Sequence, residues 1–420
     1  MANNNDQSSV RRRRFLKAAG ATATATALAG CGGGGGGGSG GSGSGGSGGT
    51  DSAKIGLLAP LSGATPTTGQ EVQRGAEMAK EYTGGQILDS DFELVVRDTK
   101  STPSGALEGA RSLVTQENVD AIIGPSLSSS TASVVPYIEN EAQIPILPTQ
   151  ASSTTAREGD NCSDYSFFIW PGNRHTIDAG VNFINDLSDH IDRDFDPKRM
   201  HFFSADYSLG QDNLSLLRDR LSEEGGEVTG KTLVPLGTQD LSSYISELLN
   251  SDAKLITGVM PAGLAISLIN QAADYNLKEE KVLMFNSGKP VNQIVQASVG
   301  GAADGWYGTT FYNPTSDSDI NQTFKDLYPS ESTSLLPNAA CGSGFETVRA
   351  LSKAMEQAGT TNADDVLNAL GGLNWQSIFG DTTFRAGDGQ VEIDFIGATR
   401  QDTTFTPMEE YNDVIPPNTC

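Results

Sequence analysis

Two hydroxyl-rich runs stand where an α/β chain can do chemistry. Ser128-Ser129-Ser130-Thr131 follows the apolar run AIIGP, and Thr149, Ser152, Ser153 and Thr154 follow IPILP. Each apolar run reads as a buried strand, and each hydroxyl run as a turn that opens a helix. Hydroxyls together with the unpaired N–H groups of a helix start attract an anion. Two neighbouring strand ends equipped this way form a shelf suited to a carboxylate. Catalytic sets are weaker. His175, His190 and His201 are scattered and lie far from the serine runs, so they form neither a metal site nor a Ser-His-Asp set. The GSGSG at 41–45 follows no strand and fails as a nucleophile elbow. The Gly-Asp-Gly at 387–389 lacks the ligand series of a calcium loop and reads as a turn. The residues point to binding rather than catalysis, with no metal and no cofactor.

The elements that must position this shelf alternate along the chain. KIGLLAPL, FELVVRD, DAIIGP and IPILP read as buried parallel strands, separated by the amphipathic stretches GQEVQRGAEMAKEYT and SGALEGARSLVTQEN. After Trp170 the alternation resumes, with RMHFFSAD, KTLVPL, KLITGVM and KVLMFNSG as strands. Repeated strand–helix units imply an α/β fold with parallel sheets and right-handed crossovers. The roughly 370 residues after position 50 exceed what one sheet organises, so two lobes are expected. Towards the end, TTFRAGDGQVEIDFIGATRQ reads as a hairpin about its Gly-Asp-Gly turn.

The N-terminal fifty residues read as delivery rather than fold. RRRRFLK at 11–17 precedes a short apolar stretch and LAGC at 28–31. Arg12, Arg13, Phe15, Leu16 and Lys17 resemble a twin-arginine export signal, and LAGC resembles a lipobox in which Cys31 is lipidated. Residues 32–49 are only glycine and serine, a flexible tether reaching about 23 Å. The expected organisation is a signal over 1–30 and a lipidated tether over 31–50. Such a protein sits on the outer face of the membrane.

Charge excludes other partners. The chain has 28 basic and 52 acidic side chains; without residues 1–30 it keeps 23 and 51, a net charge of −28. That balance rules out a nucleic-acid partner and suits a high-salt environment. Beyond Cys31 the cysteines are Cys162, Cys341 and Cys420, which permit one bridge in an oxidising compartment.

From about Lys54 to Glu410 the chain resembles the Leu/Ile/Val-type solute-binding proteins of ABC importers. The carriers are IGLLAPLSG, AIIGP with SLSSST, IPILPTQAS, DYSLGQD, LMFNSG and GDTTFRAGDGQ, in that order. The resemblance implies two Rossmann-like lobes with parallel sheets, joined by a three-crossing hinge that closes on a small solute. It places lobe one at 51–171 and 310–395, and lobe two at 172–309 and 396–420. On that layout Cys162 and Cys341 share a lobe and are the expected pair.

Carried over residue by residue, Ser128 matches the serine that takes the ligand's carboxylate, with Ser129 beside it. Thr149 and Ala151 match contacts from the next strand end, with Ser152 adjacent. Tyr207 matches a tyrosine that closes from lobe two. Thr68 stands where an aromatic often lies, and Ser287 where these binders place a glutamate for the ligand's ammonium. Asp206 or Glu346 then has to supply the missing charge, or the solute is an amide or a carboxylate instead of an amino acid. The implied partners are an ABC permease and its ATPase, with a membrane sensor as the alternative role.

Overall fold

The computed structural model describes residues 52–286, 289–329, 336–412, 414, 415, 418 and 420. Cys31, the export signal and tether expected over residues 1–50, and Ser287 lie outside the described residues. In the first lobe β1 (Lys54–Ala59), β4 (Glu93–Asp98), β5 (Ala121–Ile123) and β6 (Ile146–Leu147) form one parallel sheet in the order β4-β1-β5-β6. A small hairpin of β2 (Gln86–Ile87) and β3 (Ser90–Asp91) precedes β4. Five of the six β1 residues are buried, so this strand is covered on both faces, as parallel sheets require.

The connecting helices are α1 (Pro66–Tyr82), α2 (Pro103–Thr115) and α3 (Ser128–Tyr137). A proline opens both α1 and α2, where its missing N–H costs nothing, and the Thr102 hydroxyl caps α2 by accepting from Gly105 N–H at 3.1 Å.

The second sheet is built from α4 (Asn173–His190), β7 (Arg199–Ala205), α5 (Ser208–Glu223), β8 (Glu227–Val234), α6 (Ser242–Asn250), β9 (Leu255–Thr257), α7 (Ala262–Asp274), α8 (Leu277–Glu280), β10 (Val282–Phe285), α9 (Gln293–Val299) and β11 (Tyr307–Thr310). The chain then returns to the first lobe with α10 (Asp319–Leu327), α11 (Ala339–Ala358), α12 (Ala363–Leu370), β12 (Asn374–Ser377), β13 (Gly380–Phe384) and β14 (Val391–Glu392). It crosses once more to β15 (Phe395–Gln401) and β16 (Thr404–Tyr411), which complete the sheet β16-β15-β11-β10-β9-β7-β8. The expected terminal hairpin is therefore split. β13 and β14 pair about the Gly-Asp-Gly turn, but β15 leaves to run antiparallel to β11.

The lobes are tied by aromatic rings from each crossing. Trp170 meets Phe311 edge-on at 4.6 Å, and Phe311 meets Phe395 at 6.2 Å. In the first lobe α1 and α11 touch at their backbones. A Cβ on Gly75 would fall 1.8 Å from Cys341 O, and one on Gly344 would fall 2.1 Å from Val72 O. Only glycine allows that approach.

The disulfide corrects the pairing expected above. Cys162 is bonded to Cys420, while Cys341 is free and buried in the first turn of α11. Its Sγ lies 3.6 Å from Met78 Sδ, facing α1 and packed into the core. The tail after β16 instead returns to the first lobe. Val414 joins that lobe's core cluster and Asn418 lies against Gly387.

Candidate functional site: two facing strand-end rims

β5 and β6 are paired neighbours, so the two hydroxyl runs emerge side by side from one sheet edge. α3 begins at Ser128, and Leu127 offers no side-chain cap to its first N–H groups. Ser153 N–H donates to Ser128 Oγ at 3.2 Å, which leaves the Ser128 hydroxyl proton free to donate elsewhere. Ser129 is exposed, and Ser130 is buried with its Oγ lacking a partner among the described residues. Thr149 is buried and its hydroxyl meets Ser126 Oγ at 3.0 Å. Ser152 is nearly buried, and its carbonyl accepts from Asn173 N–H at 2.7 Å.

This shelf reaches the second lobe through α5. Asp212, one turn past the helix start, accepts from Thr154 Oγ1 at 2.6 Å, Thr154 N–H at 3.2 Å and Asn173 Nδ2 at 2.6 Å. Tyr207 is the N-cap residue of the same helix, so it lies at the end of α5 that Asp212 ties to the shelf. Burial raises the Tyr207 hydroxyl above its ordinary pKa. The structure thus brings Ser128, Ser129, Thr149, Ala151 and Ser152 together at one edge and sets the Tyr207 helix against that edge.

Thr68 is half-buried in the first turn of α1, which follows β1, the strand beside β5; no hydrogen bond joins it to the shelf among the described residues.

Behind the shelf lies a residue the sequence reading missed. Arg157 is 3% exposed and donates to Ala151 O, to Trp170 O at 2.9 Å and to the Gln390 side chain, with its guanidinium over the Phe168 ring at 4.3 Å. It therefore ties the shelf to the first crossing and to the strand that leads into the third. The Ala151 carbonyl is spent on this contact. Burial lowers the Arg157 pKa to about 9, against the opposing pull of Glu158, Asp388 and Asp212, so it stays cationic at neutral pH.

His175, near the start of α4, is buried beside it. Burial and then the Arg157 and Arg385 charges push its pKa down to about 3, so the ring is neutral. No pattern in the sequence marks either residue, apart from Arg157 following the second hydroxyl run. Asp212 carries a weak signal, five residues after Tyr207 in DYSLGQD.

The second lobe's rim has a different character. Asn286 directly follows β10, and its amide lies so close to α4 that a Cβ on Gly180 would fall 1.9 Å from Asn286 Oδ1. Neither amide atom of Asn286 or Asn213 has a partner among the described residues. Lys289 lies three residues further along the chain.

Neither acid proposed for an ammonium stands ready for one. Glu346 is enclosed in the first lobe and held by Arg349 Nη1 at 2.6 and 2.7 Å, Trp375 Nε1 at 2.9 Å and Ile378 N–H at 2.9 Å. Asp206 is exposed and accepts from Gln211 Nε2 at 2.9 Å.

The periplasmic binding protein family matches residues 52–401. The chain belongs to that family. A Leu/Ile/Val-binding protein homolog from Brucella melitensis is 22% identical over 339 residues, covering 78% of this chain and 82% of the relative. The chemotactic signal transduction system substrate-binding protein BasB from Halobacterium salinarum is 34% identical over 109 residues, 25% of this chain and 26% of its own length.

Among solved structures, an ABC transporter substrate-binding protein from Sphaerobacter thermophilus superposes with a TM-score of 0.78 at 23% identity, covering 87% of this chain and 99% of that one. An ABC transporter solute-binding protein from Rhodopseudomonas palustris, in complex with 3,4-dihydroxybenzoic acid, gives 0.77 at 19% identity over 87% and 99%. The fold is that of the type I periplasmic binding proteins, two α/β lobes with parallel sheets about a triple crossing. No helix among the described residues is long and apolar enough to cross a membrane.

Proposed function

We propose that this chain is an extracytoplasmic solute-binding lipoprotein, tethered through Cys31, that delivers a small polar solute to an ABC permease and its ATPase. The solute's carboxylate rests on the Ser128 helix start, and Tyr207 closes over it from the second lobe. One observation carries the reading: Ser128 Oγ accepts from Ser153 N–H, so its own proton is free for an incoming anion. The named acid in the R. palustris relative supports a carboxylate, and the Leu/Ile/Val-type relatives support a branched-chain amino acid or a related compound. Affinity arises on closure, when hydrogen bonds from both rims form together in a site cleared of water. The acidic composition supports export into concentrated salt.

The test is a thermal-shift screen of amino acids, amides and short carboxylates in concentrated salt, followed by titration of the best solute into Ser128→Ala. A ligand raises the melting temperature by mass action. Loss of about tenfold or more in affinity, with the unliganded melting temperature nearly unchanged, is the expected result. An unchanged affinity removes the shelf from the site.

A second role, reporting the solute to a membrane transducer, is favoured by the partial likeness to the chemotactic protein BasB. Neighbouring genes separate the two: permease and ATPase genes accompany import, and a lone transducer accompanies sensing.

A further inference from the structure

We infer, on the reading just proposed, that the solute is a carboxylate carrying no ammonium group, held between Arg157 behind the shelf and Lys289 on the opposite rim. An α-amino acid brings an ammonium that needs an acid with capacity to spare once it is desolvated. The acids around the shelf have little. Asp212 is filled by three donors from Thr154 and Asn173. Glu158 grips Arg174 through two contacts of 2.9 Å. Asp388 holds Arg385 at 2.8 Å, and Asp394 at the third crossing has a partner of its own. On the neighbouring strand end, Asp98 accepts from Leu61 N–H at 2.9 Å, Ser62 N–H at 3.2 Å, Ser62 Oγ at 2.6 Å and Lys100 N–H at 2.8 Å. Glu346 is sealed in the core and Asp206 faces solvent.

The cations tell the opposite story. Arg157 is buried and bonds only neutral oxygens: two backbone carbonyls and the Gln390 amide. Lys289, just past the carboxyl end of β10, has neither a hydrogen bond nor an ion pair from its side chain among the described residues, and burial lowers its pKa. By contrast Lys281, on the far end of the same strand, has its ammonium covered by Ser251 O at 2.7 Å, Ser251 Oγ at 3.1 Å and Ala253 O at 2.8 Å.

A chain with 52 acidic and 28 basic side chains has acids to spare for pairing its cations. No carboxylate bonds Arg157 or Lys289 among the described residues; Glu158, Asp388 and Asp212 act on Arg157 only at a distance, so the two cations mark where negative charge is delivered from outside. The uncapped start of α3 adds to the same field. An ammonium placed beside the carboxylate meets that field with the wrong sign.

The test uses the mature chain in concentrated salt and isothermal titration with matched solutes. 4-Methylpentanoate and leucine share a carbon skeleton and differ in the ammonium; benzoate and benzamide share a ring and differ in the charge. A wider panel pairs further aliphatic and aromatic monocarboxylates with their amides and α-amino counterparts. Each bound acid is expected to exceed its amino acid and its amide by about tenfold. Lys289→Gln is expected to lower affinity for the acids by about the same factor without lowering the unliganded melting temperature. An amino acid or amide that binds as tightly as its acid overturns the inference, as does failure of every carboxylate to bind. Unchanged acid affinity in Lys289→Gln removes Lys289 from the site. If leucine binds and Ser128→Ala abolishes it, the shelf reading stands and only this inference falls. If an acid binds and Ser128→Ala changes nothing, the shelf reading falls instead.

Discussion

The two rims differ in how their polar groups are spent. On the first lobe the shelf hydroxyls, Ser130 excepted, are engaged with one another and with the backbone: Ser126 with Thr149, Ser128 with Ser153, Ser153 with Thr155 at 3.0 Å, and Thr131 with Leu127 O at 3.1 Å. Arg157 braces this rim from behind. On the second lobe the Asn213 and Asn286 amides and the Lys289 ammonium have no partner among the described residues. One rim is rigid before anything binds, and the other holds groups whose desolvation is uncompensated. That difference teaches how such a molecule divides its labour. Under the proposed function, a preorganised shelf would give orientation at little entropic cost, and the opposing rim would supply interactions gained only on closure.

The largest blow to this contrast comes from the brace. Arg157→Met orphans the Ala151 and Trp170 carbonyls and is expected to cost about 3 kcal/mol in chemical denaturation at fixed salt. A loss below about 1 kcal/mol would show that the first rim stands without it.

Acid attacks the same place. His175 has a folded pKa of about 3 against 6.5 when unperturbed, so between those values the unfolded chain binds more protons than the folded one. Its contribution is therefore complete above pH 6.5 and declines as pH falls towards 3, with a slope of up to about 1.4 kcal/mol per pH unit. His175→Gln flattens that part of the pH–stability curve; an unaltered slope would mean that His175 takes up its proton readily in the fold.

The smallest effect sharpens the second rim. Asn213→Leu replaces an amide without partners by an apolar side chain and is expected to raise stability by about 1 kcal/mol, read as an upward shift in melting temperature. A destabilised variant would place Asn213 among the engaged groups.

Much of the architecture is visible in short-range pattern. KIGLLA, ELVVRD and AII are apolar runs of strand length, and they form three adjacent strands of the first sheet. The two hydroxyl runs follow adjacent strands because a strand–helix unit places its turn at the sheet's carboxyl edge. The hairpin at Gly387 was legible only in part, since a turn announces that two strands meet but not where the second one departs. Arg157, Asp212 and His175 carried little signal. Their roles come from neighbours distant in sequence, and no local period encodes those.

What the sequence determined by itself was the alternation of strand and helix, the acidic balance, and the hydroxyl runs at strand ends. All are set by residues near one another, through backbone period, turn chemistry and charge. Only the tertiary structure decided that Cys420 bonds Cys162 and not Cys341, that Asp212 reaches Thr154, and that Arg157 meets Gln390. Those pairings depend on how three crossings and a returning tail bring distant segments together. The same three cysteines or acids on another topology would find different partners.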